Sequence, residues 1–227
     1  AGVPLANWLG QTIGWRWAFG IVAALAMLTA VLVALFAPHD PPAHGASPLR
    51  ELGALKSGQV WLTLGIAAIG FGGMFAVYTY LADTLIHVTG VSPSLIPVAL
   101  MVFGAGMTAG ILIVPHFADR ALMPTVAVVM LFGAASLALY PLAAHNWWLL
   151  LLDIFAIGIG GSFGTALQTR LMDVAGDAQA LAAALNHSAF NTANALGPWL
   201  GGLAIAAGYG WTSTGWVGAG LALGGFA

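Results

Sequence analysis

Apolar positions occupy this chain in long unbroken runs, and the polar ones are gathered into short breaks between them. Trp17–Phe36 carries no charge, and about 20 apolar residues is what a helix needs to cross about 30 Å of hydrocarbon. Further runs lie at Val60–Ile86, Ser94–Phe117, Leu122–Ala143, Trp147–Thr169 and Ala178–Ala207, with a last one from Thr214 to the end. The breaks at Gly90–Pro93, Asp119–Arg120, His145–Asn146, Asp173–Asp177 and Gly208–Gly210 hold the Pro, Gly and charged residues. This pattern predicts an all-α bundle of seven membrane spans, the last incomplete, preceded by the tail of one more helix. Barrel strands are excluded, because the runs are too long and lack their two-residue alternation.

Composition narrows the class further. Five Lys or Arg and seven Asp or Glu make up 5% of 227 residues, against roughly 25% in a soluble domain. So few charges cannot cover a water-exposed surface, and a hydrophobic content of 60% excludes a disordered chain. A formal charge of −2 offers no basic patch for phosphates, so no nucleic-acid partner is expected. Without cysteine there is no disulfide or Cys-ligated metal. The histidines show no metal-ligand spacing and no phosphate-binding loop is present, so neither metal nor cofactor is expected. Gly160-Gly161-Ser162-Phe163-Gly164 matches a Gly-x-Ser-x-Gly pattern. Its position inside a helical run argues against a nucleophile elbow, which needs a strand-to-helix turn.

The polar residues also set the organisation. Residues 37–59 hold four prolines and four of the charges (Asp40, Arg50, Glu51, Lys56). They read as a solvent-exposed linker, with a short interfacial helix at Leu49–Lys56. Placing that linker in the cytoplasm puts Arg50, Lys56, Arg120 and Arg170 inside and only Arg16 outside, as the positive-inside rule requires. Trp147, Trp148, Trp211 and Trp216 then fall at the outer edge. The start at Ala1 without a Met and the stop at Ala227 inside an apolar run point to an internal fragment of a longer chain.

A repeat supports duplication. Gly2-Val3-Pro4-Leu5-Ala6-Asn7-Trp8-Leu9-Gly10, leading to Gly14-Trp15, has a counterpart in Gly197-Pro198-Trp199-Leu200-Gly201-Gly202, leading to Gly208-Tyr209-Gly210-Trp211. Six spans begin between the two prolines, so both copies run in the same direction. Gly-Pro-x-x-Gly-Gly at 197–202 resembles the antiporter signature of the major facilitator superfamily, and His-Phe-Ala-Asp-Arg at 116–120 resembles that family's turn between spans eight and nine. The runs at 60–80 and 184–191 are similar to the bacterial drug-efflux and sugar-efflux branch, including chloramphenicol-efflux-like proteins. The first copy departs from the signature, with Val3 before Pro4 and Ala6-Asn7 in place of the Gly pair. The resemblance implies that residues 1–36 are the end of span five and span six. It makes 37–59 the cytoplasmic central loop and 60–227 the carboxyl-terminal six-helix bundle. A first half of the same chain would be its partner.

Polar groups within spans should face the bundle or a water-filled cavity. His187, Asn191 and Asn194 fall at i, i+4 and i+7, one stripe of a helix, and are candidates for a cavity wall or for interhelical hydrogen bonds. Phe71, Phe75 and Tyr78 form a second such stripe, suited to flat amphipathic substrates. Gly197, Pro198, Gly201 and Gly202 offer close packing and a bend. Asp153 is the acid well inside a span, where it should be protonated, paired or hydrated. Asp153 and His187 are the candidates for a proton-linked role. The resemblance adds a cytoplasmic latch at Asp119–Arg120.

These features lead to a non-enzymatic, multi-pass transporter of the bacterial inner membrane, embedded in lipid and moving a small organic molecule, drug or sugar-like, by proton-coupled efflux. An uptake or facilitated transporter of the same superfamily, a channel or a non-transporting helical scaffold would satisfy the same pattern.

Overall fold

The computed structural model describes residues 2–12, 14–36, 52–176 and 178–227, and every element among them is helical. The chain divides into two compact units, 1–47 and 48–227.

In the first unit, α1 (Gly2–Thr12) and α2 (Trp15–Phe36) meet at Gly14. The φ of +95° at Gly14 turns the chain through a region that a Cβ disfavours. Beyond Arg16 in its first turn, α2 is apolar on all sides and none of its residues is buried, the signature of a helix whose solvent is lipid or other helices.

The second unit starts with a short 3₁₀ turn, Leu52–Lys56. The expected linker otherwise falls on 37–51, outside the described residues. Six spans follow. α3 (Gly58–Thr84) ends in a π-helical turn, Leu85–Thr89, closed by Gly90. α4 (Ile96–Ala118) and α5 (Leu122–Ala143) come next. The fourth span is two helices, α6 (Trp147–Gly160) and α7 (Phe163–Ala175), interrupted at Gly161–Ser162. α8 (Gln179–Ala204) runs into a second π-helical turn, Ile205–Tyr209, and α9 (Ser213–Phe226) closes the chain.

α3 is the hub, packed along α8 and α9; α4 lies against α6, and α5 against α9 and α6. Glycine makes the closest of these approaches possible. Gly72 of α3 faces Gly197 of α8 backbone to backbone, and a Cβ at Gly197 would collide with the Gly72 carbonyl oxygen. Small-residue contacts of this kind replace the hydrophobic drive that lipid cannot supply.

The spans can be compared with the sequence pattern. Among the described residues, five helical stretches, α2 and four of the six in the second unit, are long and apolar enough to cross a membrane by length and composition, where the sequence pattern predicts seven spans with the last incomplete. α8 has the length but is too polar on one side, and α9 has only 14 residues. The run starting at Trp147 extends to Ala175 rather than Thr169 and is broken at Gly161–Ser162. The Gly-x-Ser-x-Gly match therefore sits at a helix interruption instead of inside a continuous helix. It still joins helix to helix, with no strand before it.

Candidate polar cavity face

The buried side of α8 determines what its other side presents. Ala182, Ala189, Ala193, Gly197 and Gly201, with Asn186, are buried. These small residues at helical spacing draw α8 against α3 and leave little rotational freedom. His187, Asn191 and Asn194 are consequently exposed, together with Ser188 and Thr192. The two hydroxyl residues are satisfied within the helix: Ser188 donates to the Ala184 carbonyl at 3.1 Å and Thr192 to that of Ser188 at 2.9 Å. The side chains of His187, Asn191 and Asn194 make no hydrogen bond to other described residues. A face of imidazole and carboxamides turned to hydrocarbon would leave several donors and acceptors unmet. It matches water or another polar protein surface.

Sequence reasoning passed over further exposed polar groups on the helices that neighbour α8. Thr79 lies on α3, and Thr165, Gln168 and Thr169 lie on α7, both helices that pack against α8. Thr165 and Thr169 return their hydroxyls to the Ser162 and Thr165 carbonyls. That internal satisfaction makes threonine an ambiguous signal in a sequence.

The aromatic stripe is divided by packing. Phe71 is 3% exposed, with its ring centroid 4.2 Å from that of Phe163 and 4.3 Å from that of Phe190. It joins α3, α7 and α8 as a core residue. Phe75 and Tyr78 are half-buried, and Tyr78 packs 5.0 Å from Phe103 of α4. The i, i+4, i+7 spacing places all three on one side of α3. Burial then depends on α7 and α8, which that spacing does not reveal.

The Gly-Pro segment is clasped by α3. The Tyr80 hydroxyl donates to the Pro198 carbonyl at 2.9 Å. Gly201 is buried beside the Tyr80 ring, and a Cβ at Gly202 would come 2.7 Å from the Tyr80 hydroxyl oxygen. Tyr80 was missed in the sequence because nothing local links it to Pro198. At the same end of α3, His87 stacks on Trp211 with centroids 5.6 Å apart.

Asp119 and Arg120 lie in the exposed turn after α4. Neither forms an ion pair among the described residues. Asp119 borders a cavity of about 290 Å³ together with Thr165, Thr169 and Asp173. Arg170 nearby donates to the Gln59 side chain at 3.4 Å, tying α7 to the start of α3.

Asp153 falls on the inner stripe of α6 with Leu150, Ile154 and Ile157, and is 9% exposed. It is not an open residue at a cavity mouth, as a hydrated position would require. His187 and Asp153 are therefore not brought together: one is on the exposed face of α8, the other inside the packing of α4, α5 and α6. No cluster of three or more metal-ligating side chains occurs among the described residues.

Comparison with known proteins agrees with this architecture. Residues 1–143 match the family model described as Major Facilitator Superfamily. The chain is 34% identical over 229 residues to the Inner membrane transport protein YdhP of Escherichia coli (strain K12), covering 98% of this chain and 58% of that protein. It is 34% identical over 205 residues to a Chloramphenicol resistance protein of Streptomyces lividans, covering 87% of this chain and 52% of that one. A Probable sugar efflux transporter of Helicobacter acinonychis is 28% identical over 206 residues, with coverages of 90% and 52%. The chain belongs to the major facilitator superfamily, a family of membrane transporters rather than enzymes, and is a multi-pass inner-membrane protein. It spans about half the length of these curated relatives.

Proposed function

We propose that the protein containing this chain is a secondary active transporter that exports a small organic compound, drug or sugar-like, in exchange for protons by alternating access. The observation that carries this reading is the exposed His187–Asn191–Asn194 face of α8. On a membrane helix such a face belongs against a water-filled path, and a path shared with a first six-helix half is where a midplane substrate site would lie. Phe75 and Tyr78 would add apolar contact, and Asn191 and Asn194 would supply hydrogen bonds. Pro198, clasped by Tyr80 and flanked by Gly197, Gly201 and Gly202, marks where α8 would bend as access switches, while Asp119–Arg120 would latch the cytoplasmic side. The names of the drug-resistance and sugar-efflux relatives support the direction and the substrate class.

The full-length protein in liposomes tests the reading, with chloramphenicol and a labelled sugar as first substrates. An imposed pH gradient should drive accumulation of one of them. A flux indifferent to the gradient would remove proton coupling.

A further inference from the structure

A second concave surface lies between α4 and α5. These helices follow one another through a tight turn, yet each packs far more extensively on α6 than on its sequence neighbour. Glycine draws them there. A Cβ at Gly106 of α4 would collide with the Phe155 carbonyl of α6, and one at Gly160 of α6 would come 2.6 Å from the Gly133 Cα of α5. The space left between α4 and α5 is a groove of about 440 Å³. Val114, Val129 and Ile159 lie behind it, and Ile113, Phe117 and Val128 form its exposed rim. Every exposed residue of α5 is apolar, so this side matches lipid and not a water-filled path. From Pro124, beside the turn, to Phe132 the groove follows α5 for about 12 Å. One leaflet supplies about 15 Å of hydrocarbon, so an acyl chain lying along the helices has the length to fill it.

The turn that closes the groove has the chemistry to hold an anion. Arg120 forms no ion pair among the described residues, and its neighbour Asp119 borders the other cavity, with Thr165, Thr169 and Asp173. α5 starts at Leu122 without a side-chain cap from Ala121, which leaves the positive end of its dipole open. Thr125, in the first turn of α5, lines the groove. Its hydroxyl makes no hydrogen bond among the described residues, whereas Thr108, Thr165, Thr169 and Thr192 return theirs to their own helices. A guanidinium, a helix N-terminus and a hydroxyl together suit phosphate oxygens. A free anion would use this end and leave the groove empty. A hydrocarbon alone would fill the groove and leave Arg120 unmet. A phospholipid does both.

We propose that the α4–α5 groove binds one phospholipid of the leaflet on the Arg120 side, which the positive-inside rule makes the cytoplasmic one. Its phosphate sits on Arg120 and the α5 N-terminus, and one acyl chain runs along the groove from Pro124 to Phe132. The lipid braces α4 and α5 on α6 and leaves Asp119 to the opposite cavity. This site goes beyond the transport reading and holds whatever the substrate, direction or coupling.

Photolabelling of the full-length protein in phosphatidylcholine liposomes provides the test. A phosphatidylglycerol probe with a diazirine on its acyl chain should label the groove residues more heavily than Leu112 and Leu131, which are exposed at the same depth outside it. Mass spectrometry of the peptides reads the label. Arg120→Gln should lower groove labelling about 5-fold, the effect of one basic residue near an anionic lipid surface. A diacylglycerol probe with the same chain but no phosphate should label wild type and Arg120→Gln alike. Val128→Trp, at the rim, should reduce labelling by both probes. Groove labelling no heavier than that of Leu112 and Leu131 would reduce the site to bulk lipid contact and overturn the proposal. Cross-links from a photoreactive residue at Val128 to a second copy, or displacement of the label by chloramphenicol, would assign another occupant and overturn it as well. Phosphatidylglycerol labelling indifferent to Arg120→Gln would overturn the head-group assignment.

Discussion

At the scale of single residues, the side chains that matter most in this bundle are often those that are missing. Gly197 permits the approach of α8 to α3, and any Cβ there meets the Gly72 carbonyl and lies 2.9 Å from the Ala76 nitrogen. Backbone cannot rotate away as a side-chain tip can. Gly197→Ala should therefore cost about 1–3 kcal/mol, read as a lowered Tm in detergent. Gly220→Ala, with no atom within 4 Å of its Cβ, should leave Tm unchanged. Tyr80→Phe removes the bond to the Pro198 carbonyl and should cost about 0.5–1.5 kcal/mol with no loss of ring packing. A Tm equal to wild type would show that the clasp contributes nothing.

At the scale of elements, α8 shows how one helix can be too polar to look like a span and still belong among spans. Its buried side is mainly Ala and Gly, and its exposed side carries His187, Ser188, Asn191, Thr192 and Asn194. The polar stripe was legible from spacing alone, because i, i+4 and i+7 are fixed by helix geometry. Its orientation was not, since that depends on which side the Gly72–Gly197 contact claims. The absence of cysteine makes the orientation simple to test with single-cysteine variants of this segment in the full-length protein. Asn191→Cys should react with a membrane-impermeant thiol reagent, and Ala193→Cys, at a 0% exposed position, should not. Leu112→Cys, on an apolar exposed part of α4, should react only with lipid-soluble reagents. Labelling of Asn191→Cys by the lipid-soluble reagents alone would place α8 against lipid and end the cavity interpretation.

At the scale of the whole chain, the repeat read from the sequence has a conformational echo within each unit. Gly14 follows Pro4 by the same interval as Gly208 follows Pro198, and both adopt positive φ, +95° and +89°. Each glycine ends one helix and is followed by an aromatic residue. Gly14→Ala and Gly208→Ala should each cost about 1–2 kcal/mol through backbone strain, although a Cβ at either would meet no atom within 4 Å. Unequal effects, measured by thermal unfolding of the full-length protein, would argue against an equivalent structural role for the two turns.

What the sequence determined by itself follows from the solvent. With 5% charged residues and 60% hydrophobic ones, the backbone must satisfy its own hydrogen bonds in lipid, and long helices are the result. Helix starts and stops were legible for the same reason, as at Leu122–Ala143, because Pro, Gly and charge punctuate apolar runs. Tertiary structure alone decided which side of each helix faces inward. Phe71 and Phe75 are one helical turn apart, yet Phe163 and Phe190 bury the first and leave the second partly open. Asp153 reads as a lone acid in the sequence, and only the packing of α4 and α5 against α6 buries it. Periodicity fixes which residues share a side of one helix; the contacts between helices decide what that side meets.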